Sequence, residues 1–130
     1  MYSNIIMQTK KQAEFPLLTE YKKHFKITED TIFAYNHVIY TNKDLPEDII
    51  VHEKQHFIQQ DRDGLDNWVQ NYLHNPKKRL EYELEAYKKQ LTVCKPKGFR
   101  NAVRLDCIEN LTSGMYGDLI TRKEAERLLS

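Results

Sequence analysis

Two cysteines, four glycines, four prolines and no long apolar run are the first features of this 130-residue chain. Cys94 and Cys107 stand far apart and in no CxxC or zinc-knuckle spacing, so a disulfide framework and a thiolate metal knuckle are both excluded as organising principles. Both are expected as packing residues. With so few glycines and prolines there is no low-complexity linker and no visible repeat, and each break in the pattern carries information. No segment has an apolar run of the length needed for a secretory core or a membrane span, which leads to the expectation of a cytoplasmic protein with no membrane partner. Charge of one sign is also missing. Lys plus Arg total 20 against 19 Asp plus Glu, mixed along the chain, so there is no basic footprint for a nucleic-acid partner.

Hydrophobic residues make up 40% and charged residues 30%, the balance of an ordinary folded chain. A length of 130 residues suits a single domain spanning 1–130 with one substantial core. The first fifteen residues carry weak signals. Behind Pro16, the spacing of Leu17, Leu18, Tyr21 and Phe25 predicts a short helix. Thr31–Tyr35 and Val38–Thr41 are β-branched and aromatic runs separated by Asn36-His37, which reads as a hairpin or a bent strand.

A helix is expected from about residue 46 to 60, with Asp44 as its cap and Asp61–Gly64 as its end. Another covers about Asp66–Leu73. Asn75-Pro76 supplies a cap and a first-turn proline for a helix running to about Val93, and a further helix covers about Asn101–Leu111 and stops near Ser113-Gly114. Thr121-Arg-Lys-Glu124 is a capping-box pattern opening a last helix to Leu129. The expected fold class is α+β, mostly helical, with a short hairpin or small sheet before the helix at 46–60.

That helix carries His52-Glu53-Lys54-Gln55-His56, an HExxH motif. Residues four apart lie roughly 40° apart on a helix and one turn along it, so two imidazoles can converge on one ion. Glu53 lies roughly 100° round from His52, beside the ion, where it can accept a proton from an attacking water. One Zn2+ ion is the expected cofactor, because it activates water and polarises a carbonyl at neutral pH. A third ligand is required. The extended HExxHxxGxxH form is excluded by Gln59 and Arg62. With Glu83 taken as zero, Leu80, Tyr87, Leu91 and Cys94 fall within roughly 80° on one side and Ala86 within roughly 60° on the other. Glu83 therefore occupies the middle of an apolar stripe, where a carboxylate needs a cation. Glu81 and Glu85 fall on the opposite side as solvent-facing charges, with Glu85 spaced to pair with Lys89. His24, His37 and His74 have no ligand spacing.

HEKQHFIQQ followed by LEYELEAY resembles the gluzincin branch of the zincin metallopeptidases, in which a glutamate opening an ExxA motif completes the HExxH site. Glu83-Leu-Glu-Ala86 matches that motif. Tyr87 departs from it, since many members have there an aspartate that orients a zinc-bound histidine. The HExxHxxQ start and the stretch SGMYGDLITRKEAERLL also look like compact metallopeptidases encoded by bacteriophages and bacteria, a likeness running from about residue 30 to the C-terminus.

The resemblance implies a minimal zincin-like domain, His52, His56 and Glu83 as zinc ligands, Glu53 as general base and a peptide or protein substrate. It also implies an edge strand beside the metal that holds an extended peptide, lined by Tyr35 or Tyr40, and it leaves Tyr82, Tyr87 and Tyr116 as candidate oxyanion donors. A phage origin would add a virion-associated location. The contrasting expectation is a non-catalytic protein stabilised by zinc, such as an assembly component of a phage particle. Three protein ligands plus a positioned glutamate favour the open, catalytic arrangement.

Overall fold

The computed structural model describes residues 7–113, 116 and 119–130. Among them the chain forms three short strands and six α-helices, a mixed α/β architecture dominated by helix. The strands are β1 (Gln8–Lys10), β2 (Phe33–Tyr35) and β3 (Val38–Tyr40), in the order β1-β3-β2. β2 and β3 form the expected hairpin. Asn36 and His37 both take positive φ, 51° and 64°, which gives the two-residue turn whose twist matches that of the strands. β1 pairs in parallel with β3, Gln8 opposite Val38 and Lys10 opposite Tyr40. All three β1 side chains are exposed, so this strand is held by backbone pairing and left no apolar alternation in the sequence.

The first α-helix, α1 (Leu18–Lys22), is shorter than the stretch behind Pro16 suggested; Tyr21 is its buried anchor, and Phe25 packs just beyond it. Next come α2 (Glu47–Asp63) and α3 (Leu65–His74), separated by Gly64 at φ +87°, where a side chain would be strained. Pro46, not Asp44, occupies the N-cap position of α2, and no side chain caps it. The acidic pair Glu47 and Asp48 in the first turn favours the helix N-terminus instead. Asn75 does cap α4 (Pro76–Thr92), accepting from the Lys78 N–H at 3.1 Å. Helix α5 (Lys97–Thr112) begins about a turn earlier than periodicity indicated and ends at Ser113; Gly114, the other half of the expected stop, lies outside the described residues, as do Met115, Gly117 and Asp118. Thr121 caps α6 (Arg122–Leu128) through the Glu124 N–H at 3.2 Å.

Two apolar clusters flank the α2–α4 contact. One is aromatic, joining Phe15, Tyr21 and Phe33 to Trp68 and Tyr72 of α3. The other is largely aliphatic and joins Leu91 of α4 to Ile108 and Leu111 of α5 and to Leu129. Both cysteines are free and buried in this second cluster, as expected. No helix among the described residues is long and apolar enough to cross a membrane.

Candidate metal centre

Between the two clusters, the buried faces of α2 and α4 meet along a polar seam. His52, Glu53 and His56 of α2 and Glu83 of α4 are each less than a tenth exposed. One carboxylate oxygen, Glu83 Oε1, lies 3.1 Å from His52 Nε2 and 3.3 Å from His56 Nε2. These separations suit donors around one small cation, since ligands about 2.1 Å from a tetrahedral ion sit about 3.4 Å from one another. The donor set, two imidazoles and one carboxylate, is also the chemistry that zinc accepts. Among the described residues, His52, His56 and Glu83 are the only group of three or more histidine, cysteine or acidic side chains placed to hold a metal.

The residues behind these three were not singled out from the sequence. His52 Nδ1 donates to Gln90 Oε1 at 3.0 Å, and His56 Nδ1 to Gln59 Oε1 at 2.9 Å. Each amide is anchored in turn. Gln90 Nε2 donates to Asp48 at 2.8 Å, while Gln59 Nε2 donates to the Tyr82 carbonyl and to Glu85, both at 2.9 Å. Trp68 Nε1 donates to Gln59 Oε1 at 3.1 Å. With the amide nitrogens committed to acceptors, both amide oxygens face the rings and fix the histidines with their Nδ1 protonated, turning each Nε2 towards Glu83. On the far side of the carboxylate, the Tyr72 hydroxyl donates to Glu83 Oε2, leaving Oε1 for the histidines.

Gln90 thus fills the orienting role that the departure at Tyr87 left unassigned. Tyr87 instead packs its ring on His52 at 4.4 Å and pairs its hydroxyl with that of Tyr116 at 2.6 Å. A signal for the glutamines existed: Gln59 is seven residues from His52 and Gln90 seven from Glu83, two helical turns along the same faces.

The charges reinforce one another. Burial alone would push the His56 imidazolium down, but the Glu83 carboxylate beside it outweighs this and holds its pKa up at about 9. Burial opposes ionisation of Glu83, and the charge of His56 together with hydrogen bonds from both histidines overrides it, so the carboxyl is held well below its ordinary range. Glu53 differs. Its burial dominates the opposing pull of His52 and His56 and raises its pKa, the direction that suits a proton acceptor and donor. Its Oε2 stands 3.9 Å from His52 Nε2, beside the triad.

Glu81 is exposed, as expected, and it pairs with Lys78. Glu85 is a correction: it turns towards α2, accepting from Gln55 at 2.8 Å as well as from Gln59, because α2 passes close enough to cover that side of α4. His24 and His74 meet edge to face, and His37 faces Asp61, all away from the triad. Tyr35 and Tyr40 pack around Phe15 in the aromatic cluster rather than lining a cleft. Tyr82 gives its hydroxyl to Asp63 at 2.7 Å, whereas Tyr116 lines the cavities on both sides of His52 and Glu53. Compared with known proteins, the chain matches no family model, no curated sequence and no solved structure.

Proposed function

We propose that this chain is a small zinc-dependent hydrolase of the metallopeptidase type, gluzincin-like in its ligand set and zincin-like in its fold. The observation that carries the reading is the convergence of His52 Nε2, His56 Nε2 and Glu83 Oε1 with Glu53 alongside and a cavity reaching all four residues. A bound zinc ion supplies Lewis acidity and lowers the pKa of coordinated water towards about 7.

The chain's own groups do the rest. Glu53, with its raised pKa, takes the proton from the attacking water and returns it to the leaving amine. Gln59, Gln90 and Tyr72 hold the three ligands in orientation, so the reaction needs no side-chain rearrangement. Tyr116 stands where it can donate to a developing oxyanion, its phenol kept protonated by burial and by the negative charge of Glu83. A cytoplasmic location, or a virion-associated one for a phage protein, belongs to the same proposal, as does a peptide or protein substrate.

The competing reading, a metal-stabilised structural or assembly protein, is disfavoured by the donor count. Structural zinc is closed by four protein ligands, and the described residues gather three. Elemental analysis of the purified chain should find about one zinc per molecule. Glu53→Gln should keep the metal and the fold while lowering hydrolysis of a peptide library by about 10²–10⁴. Retention of full activity by Glu53→Gln would refute the base assignment, and absence of bound metal in the wild type would refute the reading altogether.

A further inference from the structure

The cleft beside the triad is bordered by β2, and the hairpin turn decides which of its backbone groups face outward. Tyr35 and Val38 flank the two-residue turn as a hydrogen-bonded pair, so Ala34, opposite Ile39, points its N–H and C=O away from β3. β1 lies on the other side of β3, which leaves Ala34 on the outer edge of the sheet. This is the edge an extended substrate would use for strand addition.

It is already partly occupied. Gln60 Nε2 donates to the Ala34 carbonyl at 2.8 Å, and Gln60 Oε1 accepts from the Asn36 N–H at 3.1 Å. One side-chain amide therefore fills the acceptor and the donor that the next residue of an added strand would require. Gln60 is 2% exposed and sits one helical turn beyond His56 on α2. The turn is fastened again just past it, where His37 Nε2 meets Asp61 at 2.9 Å and the His37 ring stacks on Phe57 at 5.1 Å.

Strand and helix run in the same direction here. Ile32 and Ala34 both line cavities shared with His52 and Glu53, and it is the Ala34 carbonyl and the Asn36 N–H beyond them that meet Gln60. Ahead of Ala34 the cavity continues past Ile32 towards Asp30, Lys43 and Asp48. From the Ala34 carbonyl onward the outward backbone groups of the edge are taken by Gln60.

Resting on the hydrolase reading, we propose that Gln60 blocks one end of the cleft, so that the substrates are short peptides and chain termini, extending past the triad in one direction only, rather than internal bonds of an extended polypeptide. Gln60 is a specificity-determining residue in this account, and it takes no part in holding the metal.

The test uses the zinc-loaded full chain and titration calorimetry with hydroxamates, which anchor on a metal through their own oxygens. Acetohydroxamate is the reference. One series grows as acetyl-(Ala)n-hydroxamate, the other as a malonyl hydroxamate carrying (Ala)n amides, so the two extend in opposite directions from the anchor. In the wild type, one series should stop gaining affinity after its first alanine while the other gains at least about threefold per residue, the scale of one added backbone hydrogen bond. In Gln60→Ala the stalled series should resume its rise.

Growth of affinity with length in both wild-type series overturns the proposal, as does a stall that persists in Gln60→Ala. The wild-type comparison stands alone if the variant folds poorly. Failure of acetohydroxamate itself to bind the zinc-loaded chain overturns the hydrolase reading, and this proposal with it; binding of acetohydroxamate with unrestricted growth in both series removes only the proposal.

Discussion

Helix α4 takes part in two buried interfaces of opposite character. Along one face it meets α2 through Glu83 and, two turns on, Gln90, each committed to histidines, and the facing residues of α2 include Asp48, Gln55 and Gln59. Towards its C-terminal end it packs Leu91 against Ile108 and Leu111, in a cluster that also holds Cys94, Ala125 and Leu129. The apolar cluster is what stable folding asks for, since buried area stabilises without geometric conditions. The polar seam is costly to bury and tolerable because its members largely satisfy one another, the Gln55 Oε1 atom being left without a partner among the described residues. Such a seam beside an ordinary core is where the proposed function would reside.

The comparison breaks most visibly if the seam is a second core. Replacing both His52 and His56 by alanine should reduce bound zinc from about one per chain to the background of an elemental analysis. Retention of metal by the double variant would mean that the ion sits elsewhere. In the apolar cluster, Leu111→Ala should cost about 2–5 kcal/mol in chemical denaturation while leaving zinc stoichiometry intact under folding conditions.

Between these extremes lie the residues that orient the ligands. Gln90→Ala and Gln59→Ala should each weaken zinc about 10–100-fold in a chelator competition. Glu85→Gln should weaken it less, acting only through Gln59, and Glu81→Gln should leave it unchanged. Equal effects at positions 81, 83 and 85 would mean that α4 is wrongly phased against α2.

The smallest effect is a pH dependence of opposite sign with and without metal. The His56 pKa is raised from 6.5 to about 9, so the stability it contributes to the metal-free chain is complete below about pH 6.5 and is lost as pH rises through about 9. Glu83 is lowered from 4.5, so its contribution is complete above about pH 4.5 and is lost as pH falls through its lowered pKa. Thermal unfolding in chelator should therefore show the pair at full strength between about pH 4.5 and 6.5 and weakening towards pH 9. With zinc, stabilisation should grow over that upper range, because metal and proton compete for His56.

Much of the site was legible because its chemistry sets a helical period. His52 and His56 one turn apart, and Glu83 at the centre of an apolar stripe, are arguments about angle that packing left intact. The helices at 47–63 and 76–92 and the Asn36-His37 turn were readable for the same reason, through caps, spacing and turn chemistry. Strand β1 was hidden, because Gln8, Thr9 and Lys10 are joined to β3 through backbone alone. Gln59, Gln60, Gln90 and Tyr72 were hidden too. A glutamine reads as surface until the opposite helix is known, and each of these side chains gains its meaning from a residue more than ten positions away. Glu85 was misplaced for the converse reason, since the wheel of α4 does not show how far α2 wraps around it.

The central claim is a three-ligand metal site kept open beside Glu53. The most direct measurement is anomalous diffraction from crystals of the zinc-loaded chain, recorded above and below the zinc absorption edge. The account predicts one peak about 2.0–2.2 Å from His52 Nε2, His56 Nε2 and Glu83 Oε1, with a non-protein ligand in the remaining position within hydrogen-bonding reach of Glu53. A peak away from these residues, a fourth protein ligand closing the site, or no peak at all would contradict it.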